Sequence, residues 1–102
     1  MIFMGTYRMP INKTDEWLEC FKNMTGNPLP SCIKKWETFS CFDGETGLKG
    51  YNIIYAEKGK VDEALIEIAK LMFPFCEIEG SSWQVEPIMG VSDSLKILGK
   101  NK

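Results

Sequence analysis

The chain has tyrosine, carboxylate and arginine side chains but no histidine, which limits the chemistry it could perform. Without imidazole there can be no Ser-His-Asp triad, Cys-His dyad or histidine-bearing metal site. A general base would have to be a carboxylate, lysine, tyrosine or thiolate. Glu37 and Glu86 lie on predicted strands and could serve if they faced inward, although an edge or solvent-facing position is the simpler expectation. Arg8, the only arginine beside eleven lysines, could hold a ligand carboxylate or form a structural salt bridge.

Aromatic side chains recur along the predicted strands, and they could shape an apolar cleft with a few phenolic hydrogen-bond donors. The candidate ligand-pocket residues are Tyr7, Arg8, Phe39, Tyr51, Tyr55, Trp83 and Glu86. Tyrosine and tryptophan are equally suited to a core or a subunit interface, so both alternatives stay open. No catalytic residue can be assigned from the pattern, and no metal or cofactor is expected.

The four cysteines, Cys20, Cys32, Cys41 and Cys76, contain no C-x-x-C pair, so a zinc knuckle is not expected. The first residues provide neither the basic region nor the long apolar run of a signal peptide. We therefore expect a cytoplasmic chain whose thiols stay reduced and pack as small, buried hydrophobic side chains.

Composition indicates a soluble globular chain with a formal net charge of -2, 44% hydrophobic residues and 25% charged residues. This balance lacks the basic excess of a nucleic-acid binder. No apolar run is long enough to cross a bilayer, because Glu67 and Lys70 interrupt the longest candidate. The loop from Asp43 to Gly50 lacks the G-x-x-x-x-G-K-[ST] pattern of a phosphate loop. Nucleic acid and membrane are therefore not expected as partners.

Strand and helix patterns alternate along the first half of the chain. Residues Ile2 to Arg8 form a predicted central strand, because they are apolar on both faces except at Thr6. A helix follows, with Asn12 or Thr14 as its cap and Gly26 as its end; its apolar stripe is Trp17, Leu18, Phe21 and Met24. A hairpin is predicted from Cys32 to Phe42 and from Gly50 to Ala56, and the charges of its first strand suit an edge.

The second half repeats the order helix then strand. A helix begins after Gly59 and is expected to stop at Pro74; its stripe is Ala64, Leu65, Ile68, Leu71 and Met72. The last strand, Trp83 to Met89, contains a proline that favours an edge. Ser92 or Asp93 can cap a short final helix, and the last residues should fray.

The predicted order is β-α-β-β-α-β, the ferredoxin-like pattern of an α+β protein in which two helices cover one face of a four-stranded antiparallel sheet. We expect a single domain over residues 1–102, with a helical tail over 90–102. The strands do not alternate cleanly, since Ile53, Ile54 and Tyr55 are consecutive, so the second sheet face should also be apolar. A homodimer would cover that face, because the final helix is too short to cover four strands.

Four short motifs carry a resemblance: M-x-F-M-x-T-Y at the start, D-E-W-L-E-C-F in the first helix, P-x-x-I-K before the second strand, and V-E-P-I-M near the end. Together they resemble small prokaryotic proteins of unknown function that are similar to the dimeric α/β-barrel superfamily. This resemblance implies two ferredoxin-like subunits packed sheet to sheet. Where that family carries an aromatic-His pair on the second strand, this chain has Phe39-Ser40, so no role of an imidazole carries over.

Two functions follow as expectations. The first is a non-catalytic homodimer that binds a small apolar or aromatic molecule between its sheets, or a purely structural dimer if it binds nothing. The second is a cofactor-independent enzyme of monooxygenase or isomerase type, which the fold resemblance suggests but no residue pattern supports. The first is favoured because no catalytic constellation can be assembled.

Overall fold

Four antiparallel strands form one sheet in the computed structural model, which describes residues 1–44 and 47–99. The strands are β1 (Ile2–Met9), β2 (Ile33–Asp43), β3 (Gly47–Ala56) and β4 (Ser82–Ile88), and they lie in the order β2-β3-β1-β4. The helices are α1 (Thr14–Thr25), α2 (Val61–Cys76) and α3 (Val91–Ile97). The predicted α+β class is confirmed, with the first strand inside the sheet and the strands rich in charge or proline at its edges.

The start of α1 differs from the predicted cap. A short 3-10 turn, Ile11–Lys13, precedes the helix, and Lys13 occupies the cap position without a side-chain hydrogen bond. Thr14 already has helical dihedrals, and its Oγ1 donates a hydrogen bond to the Ile11 carbonyl at 2.6 Å. The Thr14 hydroxyl therefore stabilises the 3-10 turn. Neither Asn12 nor Thr14 caps α1.

Pro74 does not stop α2, contrary to the sequence prediction, because it lies inside the last turn of that helix. A proline there forfeits one backbone hydrogen bond, and its fixed φ is compatible with a helix. Phe75 and Ile78 are both buried and anchor the end of α2 in the core. The chain therefore gains apolar burial from completing this turn, which outweighs the lost hydrogen bond.

The final helix α3 also begins earlier than predicted. Gly90 is its N-cap, and neither Ser92 nor Asp93 provides a capping hydrogen bond. The Ser94 hydroxyl instead donates to the Gly90 carbonyl at 3.2 Å. The helix makes at most marginal contact with the other described elements, and Val91 and Ile97 are 76% and 71% exposed. The predicted fraying falls largely on residues 100–102, which lie outside the described ranges.

The two faces of the sheet have different neighbours. The helix-side face carries buried residues of β1 and β3, such as Phe3, Tyr7, Leu48 and Ile54, which pack with the buried face of α2 and the half-buried aromatics of α1. We call the other side the open face. It comprises Ile2, Met4, Thr6, Arg8, Lys35, Glu37, Phe39, Cys41, Lys49, Tyr51, Ile53, Tyr55, Ser82, Gln84, Glu86 and Ile88. The main helices α1 and α2 lie on the other side of the sheet, while Ile97 of α3 shares a surface groove with Ile2 and Ile88 of the open face.

The described chain is extended rather than spherical. Its radius of gyration is 15.4 Å and its principal extents are 51 × 32 × 16 Å. A folded chain of this length usually has a radius of gyration of about 13 Å. The thin direction corresponds to one layer of helices on one sheet, so the open face forms a large part of the surface.

Candidate functional site

The candidate site is a cavity of about 250 Å³ on the helix-side face, between the sheet and helices α1 and α2. We call it the helix-side cavity. Sheet residues of β1, β2 and β3 form its floor, and both helices contribute apolar walls. Its lining residues are Tyr7, Trp17, Phe21, Met24, Thr38, Phe39, Ser40, Leu48, Gly50, Asn52, Met72 and Phe75. None of these side chains is charged.

The floor of the cavity is open because Gly50 has no side chain. Gly50 pairs with Tyr7 across β1 and β3, and it does not have a positive φ that would require glycine. A Cβ atom built on Gly50 would lie 3.8 Å from the Phe39 carbonyl oxygen and 3.8 Å from the Tyr7 Cβ, which are ordinary contacts. Glycine therefore leaves space at this position, although the backbone would accept a larger residue.

Asn52 is the polar group in the floor, and it is only 6% exposed. Its Oδ1 accepts hydrogen bonds from Trp36 Nε1 at 2.9 Å and from Thr38 Oγ1 at 3.0 Å, both from the neighbouring strand β2. Buried amides normally have partners, and this pair satisfies the carbonyl half of the side chain. The two β2 residues thereby fix the orientation of the Asn52 amide.

Tyr7 forms one wall, held against the end of α2. Its ring meets the Phe75 ring edge to face at 5.6 Å, and its hydroxyl donates to the Phe75 carbonyl at 3.4 Å. Burial raises the pKa of Tyr7 to about 12, because it disfavours the charged phenolate, while a hydrogen bond with Ser81 opposes the shift. Tyr7 is therefore neutral at physiological pH and does not act as a base there.

The aromatic residues of α1 also line the helix-side cavity. Trp17 stacks on Phe21 with ring centroids 5.0 Å apart and planes 15° apart. Trp17 also contacts Phe75 across the helix pair, at 6.4 Å between centroids. These centroid distances are typical of favourable contacts between aromatic rings. A planar ring bound in the cavity would therefore contact several aromatic side chains.

The seven predicted pocket residues do not form one site. Tyr7 borders the helix-side cavity, and Trp83 pairs with Tyr7 on the same face without lining the cavity. Phe39 also borders the cavity, where its carbonyl oxygen lies beside Gly50, but its side chain belongs to the open face. The other four residues, Arg8, Tyr51, Tyr55 and Glu86, belong to the open face. Arg8 borders a small depression of about 110 Å³ with Thr6 and Ser82.

Lysine side chains cover two of the open-face tyrosines. Lys35 Nζ lies 5.7 Å from the Tyr55 ring centroid, and Lys49 Nζ lies 5.1 Å from the Tyr51 ring centroid. Both distances are within the range of cation-π contacts. These rings are thus partly screened from solvent, but no enclosed cavity forms around them in the described chain.

The sequence prediction missed Gly50 and Asn52 as site residues. The sequence prediction started its strand at Gly50, whereas the observed β3 begins at Gly47, so Gly50 lies inside the strand. A glycine inside a strand often marks an open or closely approached backbone. The role of Asn52 could not be predicted either, because it depends on its cross-strand alignment with Trp36 and Thr38.

The carboxylates considered as bases lie away from the cavity. Glu37 is half-buried on β2, with its Oε1 3.7 Å from Lys35 Nζ, and Glu86 is exposed on β4. Neither lines the helix-side cavity. The described cavity therefore contains no carboxylate, thiol or lysine that could exchange a proton with a ligand.

The cysteines are all free, but two of them are not buried as predicted. Cys32 is buried and Cys20 is half-buried, whereas Cys41 and Cys76 are exposed. Cys41 lies on the open face of an edge strand, and Cys76 is the last residue of α2, so neither reaches the core. Burial, followed by the neighbouring Glu19 charge, raises the pKa of the Cys20 thiol and keeps it protonated.

Residues 1–44 and 47–99 contain no group of three or more metal-ligating His, Cys, Asp or Glu side chains. Among those residues, no helix is both long enough and apolar enough to cross a membrane.

Comparison with solved structures finds several chains with a similar fold. The chain is similar to the crystal structure of a DUF3240 family protein from Shewanella baltica OS155, at 10% sequence identity and a TM-score of 0.37, covering 87% of this chain and 91% of that chain. A likeness of this size carries no argument about function. No protein-family model matches the chain, and no curated protein matches it. The family resemblance of the sequence motifs therefore stays a prediction.

Proposed function

We propose that this chain is a non-catalytic binding protein for a small apolar or aromatic molecule, and that it acts as a homodimer. The observation that carries the binding function is the helix-side cavity, because its walls are apolar and aromatic and its floor is left open by Gly50. Small-molecule sites are usually concave and mostly apolar, with few polar groups. This location differs from the space between two sheets that the sequence suggests.

The size of the cavity suits a compact ligand. A dry cavity of about 150 Å³ lined by apolar side chains is known to bind benzene. A cavity of about 250 Å³ therefore has room for a single substituted ring or a fused pair of rings. The aromatic walls from Trp17, Phe21 and Phe75 favour a planar molecule over a branched aliphatic one.

Naphthalene titration tests the binding function. Naphthalene has two fused rings and no polar atom, and a ligand that binds only the folded state raises the unfolding midpoint. We expect the melting temperature to rise with naphthalene concentration along the mass-action curve for one binding site per chain. An unchanged melting temperature up to the solubility limit would contradict the proposal and leave a structural dimer.

The open face supports the homodimer. Its centre is apolar, with Met4, Tyr51 and Ile53 adjacent across β1 and β3, and Phe39 beyond them is 52% exposed. Apolar patches of more than a few hundred Å² are rarely exposed on monomers. We propose that the subunit is ferredoxin-like, as the order of its elements suggests, and that two subunits pack open face to open face as in dimeric α/β-barrels.

Light scattering on two matched variants tests the dimer. The wild-type chain is expected at twice 11.6 kDa. Ile53→Glu places a charge at the centre of the open face, so we expect the monomer mass. Leu65→Glu makes the same kind of change on the exposed side of α2, and it should leave the dimer intact. A wild-type monomer, or a dimer that survives Ile53→Glu, would contradict this interface.

The enzyme alternative gains no support from the cavity. Tyr7 is neutral at physiological pH, and the described lining contains no carboxylate to accept a proton. A cofactor-independent oxygenase or isomerase would need such a group beside its substrate. The binding function is therefore the better account of this site.

A further inference from the structure

We infer that Asn52 makes the helix-side cavity selective for neutral aromatic molecules that carry a carbonyl group. The carbonyl oxygen of the ligand would accept a hydrogen bond from Asn52 Nδ2. This inference rests on the proposed binding function and specifies the chemistry of its ligand.

The orientation of the Asn52 amide is set by its neighbours. The Trp36 indole Nε1–H is a donor only, so the Asn52 atom 2.9 Å from it must be the oxygen. The Thr38 hydroxyl donates to the same oxygen at 3.0 Å. The other end of the amide, Nδ2, therefore presents its two N–H donors away from β2.

Nδ2 has no hydrogen-bond acceptor among the described residues, although Asn52 as a whole is 94% buried. The described chain contains no fully buried side-chain polar atom that lacks a partner. Nδ2 must therefore be the part of Asn52 that opens into the cavity. A Cβ atom built on the neighbouring Gly5 of β1 would lie 3.7 Å from Nδ2, although Gly5 itself does not line the cavity.

The charge state of the ligand follows from the lining. An ion buried in an apolar site without a counter-charge pays a large desolvation cost. The lining contains no lysine or arginine to pair with a carboxylate, and no acid to pair with an amine. A neutral carbonyl oxygen is therefore the acceptor that fits Nδ2, and the rest of the ligand meets the aromatic walls.

Three probes of similar size test this selectivity. Coumarin is neutral and has a ring carbonyl, naphthalene has no acceptor, and coumarin-3-carboxylate carries a negative charge. One neutral hydrogen bond of ordinary net strength corresponds to about fivefold in affinity. We expect coumarin to bind about fivefold more tightly than naphthalene by calorimetric titration, and coumarin-3-carboxylate to bind least well.

A matched pair of variants at Gly5 tests the role of Nδ2 without removing Asn52. Gly5→Ser adds a hydroxyl that can accept a hydrogen bond from Nδ2. Coumarin and naphthalene should therefore bind to this variant with about equal affinity. Gly5→Ala adds only the Cβ, at an ordinary 3.5 Å from the Asn52 Cβ, and should keep the preference. Asn52→Leu removes the donor outright, and its fold is checked by circular dichroism because Trp36 and Thr38 lose their acceptor.

The outcomes separate this inference from the proposed function. Equal affinity for coumarin and naphthalene in the wild-type chain, or an unchanged preference in Gly5→Ser, would overturn the inference while the binding function stands. If neither neutral probe binds, both are overturned. Tightest binding of coumarin-3-carboxylate would overturn the assignment of a neutral ligand.

Discussion

The substitution Gly50→Ala tests whether the space above β3 is real and whether ligands use it. Alanine in a strand is more stable than glycine by about 0.5–1 kcal/mol, because glycine loses more backbone entropy on folding. The added methyl group would meet its nearest neighbours at 3.8 Å, so no repulsion opposes this gain. For a domain of this length, about 1 kcal/mol raises the melting temperature by about 4–8 °C.

The same methyl group should weaken ligand binding. It projects from the cavity floor into the space that a ring would fill, and such overlap costs about 1 kcal/mol or more. We therefore expect the affinity for naphthalene to fall at least about fivefold while the protein itself becomes more stable. The opposite signs of the two effects separate loss of the site from loss of the fold.

Thermal unfolding and naphthalene titration of Gly50→Ala and Gly5→Ala form the assay. Gly5 lies on the same sheet face one strand away and does not line the cavity, so Gly5→Ala should gain stability and keep its affinity. Destabilisation of Gly50→Ala by more than about 1 kcal/mol would show that the space above Gly50 is filled. Unchanged naphthalene affinity in Gly50→Ala would show that the ligand binds elsewhere.

Two further predictions concern single side chains. Tyr7 should titrate near pH 12 in the folded protein. Because its folded pKa exceeds the unfolded value of about 10, its contribution to stability is full below about pH 10 and is lost as pH rises through 12. Ultraviolet titration should show a late phenol that Tyr7→Phe removes, and a Tyr7 that ionises near pH 10 would refute the buried environment. Cys41 should react with iodoacetamide more slowly in the wild-type dimer than in the Ile53→Glu variant, whereas Cys76 should react at the same rate in both proteins. Peptide mass spectrometry measures the two rates. Equal Cys41 rates in the two proteins would place the interface elsewhere.

Much of the fold could be predicted from local patterns. The apolar stripes of both main helices and the charges of the hairpin were sufficient to place the elements, and Pro87 indicated an edge strand. Within those stripes, however, Leu18 and Leu65 are exposed. The end of α2 could not be predicted, because Pro74 is a stop signal locally and only the burial of Phe75 and Ile78 shows why the helix continues.

The faces of β2 illustrate a second limit. Strict alternation puts Ile33 on the same side as Phe39 and Cys41. In the structure an irregularity between Ile33 and Lys35 shifts the register, so Ile33 is buried on the helix side while Phe39 lies on the open face. A bulge of this kind leaves no distinct sequence signal, and it changes which residues share a surface.

The candidate site was the least predictable part. Aromatic residues on strands identified Tyr7, but the sequence could not assign faces to the others, so the predicted set includes residues of both sheet faces. The cavity depends on what is missing at Gly50 and on the cross-strand contacts of Asn52 with Trp36 and Thr38. Both features arise from the tertiary alignment of three strands.

The most direct test of the central claim is the nuclear magnetic resonance spectrum of the methionine methyl groups in the presence of naphthalene. The chain has six methionines; Met24 and Met72 line the helix-side cavity, whereas Met4 belongs to the open face. We predict intermolecular nuclear Overhauser effects from naphthalene to the methyl groups of Met24 and Met72, and none to Met4. Contacts to Met4 without contacts to Met24 and Met72 would place the ligand between the sheets and contradict the proposed site.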